Sequence, residues 1–204
     1  MEEINIISTK KIFLTFDDGP SVPHTEQILD ILKDLNVKAT FCVCGKNAMR
    51  YPEIIKRISG EGHLITNHTL SHSRFFTTTG FLWPEIVITS LIIKSITGKI
   101  TRFFRPPWGV MGPFLGISLW ASNHKMFLWD VDAKDWTCPP ARIIAKEIIE
   151  KAEPNSIILL HDGKKTEKKI DRSQTVSAVY PIVKSLKDQG YIFETIDKLL
   201  ASKK

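Results

Sequence analysis

Short runs of apolar, β-branched and aromatic residues alternate with longer stretches in which apolar positions recur every three to four residues, from one end of the chain to the other. The runs 11–16, 39–44, 63–67, 102–105, 126–131, 156–161 and 191–195 have the length and composition of buried strands. Between them, residues 24–35 put Ile28, Leu29, Ile31, Leu32 and Leu35 on one helical face. Residues 51–59 carry Pro52 in a first turn and stop at Gly60, and 84–97 run from Pro84 to Gly98. Residues 113–122, 140–152 and 175–189 follow the same pattern, the last ending at Gly190. Strands that alternate with helices predict βα units around a parallel sheet, an α/β fold with seven strands. No Ser/Gly linker, heptad run or repeat interrupts the alternation, so residues 11–204 are expected to form a single domain behind an N-terminal extension, 1–10.

The side chains with chemistry fall where these strands end. Asp17 and Asp18 follow the first, His68 the third, Arg105 closes the fourth, Asp132 and Asp135 follow the fifth and His161 closes the sixth. In barrels and open parallel sheets the carboxyl ends of the strands share one rim, where active sites sit. Five distant segments are therefore expected to meet in one cleft.

His68-Thr69-Leu70-Ser71-His72 spaces two imidazoles four residues apart. On a strand that separation is about 13 Å; on a helical turn the Cβ atoms are about 5 to 6 Å apart, so a helical turn is predicted if both rings reach one ion. Two adjacent carboxylates, Asp17 and Asp18, can divide labour, one toward a cation and one toward a substrate. One carboxylate and two imidazoles leave an open position on a divalent cation, as a hydrolytic site requires. Each string also has a plain structural alternative: a coincidental His pair in a turn, or a polar Asp-Asp-Gly-Pro turn. His161 emerges from an apolar strand and Asp135 is suited to orient it. Arg105, beside Pro106-Pro107, is suited to hold a carboxylate, and Trp108 and Trp136 to wall a cleft.

Composition narrows the classes. The chain has 204 residues, 43% hydrophobic and 25% charged, with a net charge of +6 and a mean hydropathy of −0.06, which describes a folded globular protein. Three cysteines make no disulfide framework, and Cys42 and Cys44 read as buried thiols. Glu2, Glu3, Lys10, Lys11, Asp17 and Asp18 leave no apolar core for an export signal in the first twenty residues, so the chain as written is expected in the cytoplasm. Pro84, Glu85, Lys94 and Gly98 break the greasiest stretch, 81–100, below the length of a membrane span. The densest basic run, 164–172, also carries Glu167 and Asp171 and no aromatics, which favours a solvated loop over a nucleic-acid site. A single copy is the expected state.

Five strings in order, Thr15-Phe16-Asp17-Asp18-Gly19-Pro20, His68-Thr69-Leu70-Ser71-His72, Arg105-Pro106-Pro107-Trp108-Gly109, Asp132-Ala133-Lys134-Asp135-Trp136 and Leu159-Leu160-His161-Asp162, resemble the polysaccharide deacetylase family, the NodB-homology domain of carbohydrate esterase family 4. The resemblance extends from about Lys10 to Leu200. It implies a distorted (β/α) barrel with seven or eight parallel strands, similar to a TIM barrel, and hydrolysis of the N-acetyl group of N-acetylglucosamine in peptidoglycan, chitin or a related polymer. It implies that Asp18, His68 and His72 bind one divalent metal, zinc first and cobalt, manganese or nickel as alternatives. Asp17 would be the general base, His161 the general acid, Arg105 the residue holding Asp17 and Asp135 the carboxylate tuning His161. Pro107, Trp108, Gly109, Trp136 and Leu159 would contact the sugar, with a backbone N–H near Trp108 stabilising the oxyanion. Most members of the family act outside the membrane. The alternatives are the same machinery on an O-acetyl ester or a non-sugar amide, or a silent glycan-binding domain.

Overall fold

The computed structural model describes residues 10–164 and 171–201. The expected extension lies at 1–9 outside these residues, apart from Lys10, and most of the basic run 164–172 lies outside them as well.

In chain order the elements are β1 (Lys10–Asp17), α1 (His24–Asp34), β2 (Thr40–Val43), α2 (Gly45–Arg50), α3 (Pro52–Gly60), β3 (Leu64–Asn67), α4 (Arg74–Thr79) and α5 (Trp83–Thr97). They continue with β4 (Phe103–Phe104), α6 (Leu115–Ser122), β5 (Lys125–Met126), β6 (Val131–Asp132), α7 (Ala141–Lys151), β7 (Ile157–His161), α8 (Ser173–Asp188), β8 (Tyr191–Phe193) and α9 (Ile196–Ala201). The strands run β5-β4-β3-β2-β1-β7-β6, with β8 added to the start of β1, and every pairing is parallel. Among the described residues β5 and β6 do not pair, so the sheet curls into a barrel left open there.

The central strand β1 is buried on both faces from Ile12 onward, as expected where helices cover the outside and side chains fill the inside. Leu14 and Phe16 face outward onto a layer built with Ile28, Leu32, Ile55 and Ile182 from the helices. Phe13 faces inward with Cys42, Phe127 and Ile157, and Ile196 of α9 closes that inner cluster. The alternation carries the same inward face up to Thr15 and Asp17. Register sets Asp17 opposite Cys42 on β2 and opposite His161 on β7. Two residues 144 positions apart thus become lateral neighbours at one rim.

The strand predicted over 126–131 is two short ones, with Phe127 to Asp130 between them outside the ladder. Buried Arg105 explains the break. Its Nη2 donates to the Leu128 carbonyl at 3.1 Å, and its guanidinium lies 4.6 Å from the Phe127 ring and 5.7 Å from that of Trp129. Phe127 N still donates to the Phe104 carbonyl and Asp130 N to that of Ile157, so the chain crosses from the β4 edge to the β7 edge here, and the Leu128 carbonyl in between serves the buried cation. Cys42 and Cys44 are buried free thiols, their pKa raised by burial. No helix among the described residues is long and apolar enough to cross a membrane.

Candidate active site

A cleft of about 490 Å³ opens at the carboxyl rim, walled by Asp17, Asp18, His68, His72, Trp108, Trp129, Asp132, Trp136, Leu159, His161, Lys164 and Arg172. Three donor atoms converge in it. Asp18 Oδ1 lies 3.4 Å from His68 Nε2 and 3.2 Å from His72 Nε2. Ligands at about 2.0–2.1 Å around one tetrahedral ion sit about 3.3 Å apart, so the spacing suits a single small cation.

The local chain is bent to achieve this. Asp18 has a φ of 73° and its carbonyl accepts from Asn47 Nδ2 at 2.7 Å, which turns its side chain away from the course of β1. The helical turn predicted for His68 to His72 is absent. Thr69 and His72 instead have φ of 69° and 52°, in a tight loop whose amides are caught by side chains: Thr69 N donates to Asn67 Oδ1 at 2.9 Å and His72 N to Thr69 Oγ1 at 3.0 Å. Left-handed backbone at non-glycine residues costs energy, and here it folds the His72 ring back over that of His68, with centroids 5.1 Å apart. The Trp108 ring packs edge-on against His72 at 4.2 Å.

Tautomer logic shows that the three donors fit a cation. His68 Nδ1 lies 2.7 Å from the Arg105 carbonyl, which only accepts, so Nδ1 carries the proton. In the neutral ring Nε2 then presents a lone pair to Asp18. Asp18 Oδ1 is buried without a hydrogen-bond partner, and electron pairs aimed at each other in a water-poor site call for a positive charge between them. When the two rings are protonated instead, burial, which raises the Asp18 pKa, is outweighed by the hydrogen bond from His68 and the charge of both imidazoles, which hold the carboxyl far below the usual carboxylate range, so either way the carboxylate is answered by positive charge.

Asp17 is 3% exposed, and Arg105 is fully buried. Arg105 Nη1 donates to Asp17 Oδ1 at 2.7 Å and to Thr15 Oγ1 at 2.8 Å. Burial opposes the charge on Asp17, but Arg105 foremost, then His68 and His161, keep its pKa below normal. Arg105 therefore does two jobs: its guanidinium fixes Asp17 and its carbonyl fixes His68. Sequence reading found the first and missed the second, which depends on where a backbone oxygen points.

On the opposite wall His161 Nδ1 meets Asp135 Oδ1 at 2.7 Å, and the other oxygen, Oδ2, accepts from His161 N and Thr175 Oγ1, each at 2.8 Å. Burial lowers the imidazole pKa, but Asp135, with Asp18 and Asp17 behind it, pushes it up to about 9. Nε2 is the ring nitrogen left for chemistry. Trp108, Trp136 and Leu159 reach the cleft wall as expected. Pro107 is buried and Gly109 lies under Trp129, so both shape the turn that presents Trp108, whose φ is 55°. Around it the Gly109 and Val110 amides donate inside the turn, to the Pro106 and Pro107 carbonyls. Trp129, Lys164 and Arg172 were not foreseen. Arg172 is 3% exposed and its Nε donates to the Gly163 carbonyl at 3.1 Å, a placement without a local sequence signal.

Asp162 supports the site from below. A Cβ at Gly19 would overlap its carboxyl, and Thr25 Oγ1 donates to its Oδ2 at 2.7 Å. Burial raises its pKa from 3.8 to about 7. A raised folded-state pKa means stability that is full below pH 3.8 and lost as pH climbs through 7, about 4 kcal/mol for this rise. Asp162→Asn, which cannot ionise, is expected to gain on the wild type by an amount of this order between pH 4 and pH 8; urea unfolding midpoints across that range check it.

A model of the polysaccharide deacetylase family matches residues 6–113, more than half of the chain. The chain belongs to the polysaccharide deacetylase family. It is 34% identical over 196 residues to a peptidoglycan-N-acetylglucosamine deacetylase of Bacillus cereus, covering 95% of this chain and 90% of that protein. It is 29% identical to a chitooligosaccharide deacetylase of Bradyrhizobium sp. (strain ANU 289), covering 96% and 93%. The solved structure of the peptidoglycan deacetylase PdaC from Bacillus subtilis superposes with a TM-score of 0.85 at 34% identity, covering 96% of this chain and 92% of that one. The curled parallel barrel described above is the fold of this polysaccharide deacetylase.

Proposed function

We propose that this deacetylase is a zinc-dependent hydrolase that removes the acetyl group from the nitrogen of N-acetylglucosamine units in peptidoglycan or a chitin-type glycan, releasing acetate. One observation carries the reading. A held carboxylate and a held imidazole flank three convergent donor atoms in a single cleft. The similarity to deacetylases of both glycan types supports the substrate class. Two imidazoles and a carboxylate are a donor set that suits zinc.

Asp18, His68 and His72 would hold the metal, which when bound would supply Lewis-acid polarisation of the amide carbonyl and lower the pKa of a water toward about 7. Asp17 is the proton acceptor. Its Oδ1 is taken by Arg105, so Oδ2 is the atom that receives the proton of the attacking water. Its ionised state at neutral pH follows from the Arg105 contact. His161 is the proton donor: with a pKa near 9 it is cationic at pH 7, and Asp135 on Nδ1 leaves the Nε2 proton for the departing nitrogen. Amide cleavage needs that proton because an amine anion leaves poorly. Trp108, Trp136 and Leu159 offer apolar surface to the sugar.

The test is acetate release from chitooligosaccharides and from peptidoglycan by the zinc-loaded chain, beside an O-acetylated glycan. Release from the N-acetyl substrates is expected. Release only from the ester, or from neither substrate class with zinc or cobalt, overturns the proposal. Asp135→Asn is expected to lower the His161 pKa, so the alkaline limb of kcat/KM moves to lower pH; an unmoved limb argues that another group is the acid.

A further inference from the structure

The loop that carries His68 and His72 is clamped between two helices. On one side the first two amides of α2 hold its carbonyls: Gly45 N donates to the Thr69 carbonyl at 2.9 Å and Lys46 N to that of Leu70 at 3.0 Å. On the other side α5 takes its donors. Glu85, in the first turn of α5, is 7% exposed, and its carboxylate accepts from Ser71 N at 2.8 Å and shares the Ser71 Oγ proton between its two oxygens at 2.9 and 3.0 Å. Asn67, whose oxygen holds Thr69 N, is itself fixed to α5, its Nδ2 donating to the Ile86 carbonyl at 2.8 Å and to Ser90 Oγ at 3.0 Å. The layers leave no slack, because a Cβ at Gly45 would stand 2.6 Å from Thr89 Oγ1 of α5 and 2.9 Å from Leu70 Cδ1.

Burying a carboxylate costs free energy unless hydrogen bonds answer it. Those that Glu85 accepts among the described residues all come from Ser71, and among the same residues it forms no ion pair. Its charge sits at the amino end of α5, where the helix dipole favours it. The residue it grips stands between Leu70 and His72, and His72 has a φ of 52°, a course that persists only where the surroundings impose it. The His72 amide is held by Thr69 Oγ1 and the amide before it by Glu85. Fixed at both peptide units, the turn sends the His72 ring toward Asp18, with Nε2 3.2 Å from Oδ1.

We propose that Glu85 is a positioning residue of the metal site, holding the turn at Ser71 so that the His72 imidazole is aimed at Asp18 in advance of the ion. The inference rests on the reading of Asp18, His68 and His72 as metal ligands. Glu85 is not part of the cleft wall and acts only through Ser71. A ring already aimed has little freedom left to lose when it binds, so the contact shows in metal affinity.

The test is the zinc Kd of the folded full chain, from competition with a chromophoric chelator, beside the visible absorption of the cobalt-loaded chain. Glu85→Ala is expected to weaken zinc binding by about tenfold, as loss of a residue that orients ligands does, and to alter the cobalt bands. Its deficit in acetate release is expected to shrink as zinc is raised. Glu85→Gln keeps an acceptor for Ser71 N and offers a donor to Ser71 Oγ, so a loss of about threefold is expected, neutral hydrogen bonds having about half the strength of charge-assisted ones. Glu85→Asp keeps the charge but draws the oxygens back by one methylene; it is expected to lose as much as the alanine variant, and carries the test if that variant does not fold. The double variant with Ser71→Ala and Glu85→Ala is expected to bind zinc as Glu85→Ala does. A wild-type Kd and unchanged cobalt bands in Glu85→Ala, or in Glu85→Asp in its place, overturn the proposal whatever the urea midpoint does, and so do losses that multiply in the double variant. A wild type that binds neither zinc nor cobalt overturns the metal site itself, and this inference with it.

Discussion

Asp17→Asn is expected to lower kcat for acetate release by about 10²–10⁴-fold while zinc binding persists. The amide keeps an oxygen for the Arg105 Nη1 donor that now lies 2.7 Å away, so the geometry survives, but no basic atom remains to take a proton. The variant also removes the carboxylate facing a fully buried guanidinium, and breaking a buried pair costs about 3–5 kcal/mol. Activity is therefore to be read at a temperature where near-UV circular dichroism shows the variant folded. Folded, zinc-loaded Asp17→Asn with wild-type kcat would falsify the base assignment.

His72→Ala is expected to weaken zinc binding by at least about 10²-fold and to abolish turnover with it. Second-sphere changes alone cost 10–100-fold in metal affinity, and here one of three donors is deleted. Binding that favours the folded state raises stability by about 4.1 kcal/mol at a thousandfold excess over Kd, so thermal unfolding with and without zinc gives a readout separate from activity. The wild type is expected to gain melting temperature with zinc and the variant little of it. Trp108 supplies a second signal, since its ring rests on His72 at 4.2 Å and its fluorescence should change on substitution. An equal zinc-dependent gain in both proteins would remove His72 from the metal site and with it the reading of the three donors.

Much of this could be read along the chain. Each expected helix is present within about two residues, from α1 at His24–Asp34 to α8 at Ser173–Asp188, because apolar spacing reports directly which face is buried. The misses have specific causes. Helices α2, α4 and α9 are six residues each, too short for a period to show. The run 126–131 has the apolar content of a strand, but Arg105, remote in sequence, claims the Leu128 carbonyl. The His68–His72 loop follows no helical periodicity, since Asn67 and Thr69 side chains hold its amides in a left-handed course.

By itself the sequence determined the alternation of strands and helices, the placement of reactive groups at strand ends and the choice of carboxylates and imidazoles suited to a cation, all of which follow from residue type and local spacing. Only the tertiary structure decided that Asp17 and His161 are register neighbours and that one arginine secures Asp17 with its side chain and His68 with its backbone. Those relations depend on how the barrel closes, and closure is set by packing between segments 37 to 144 residues apart.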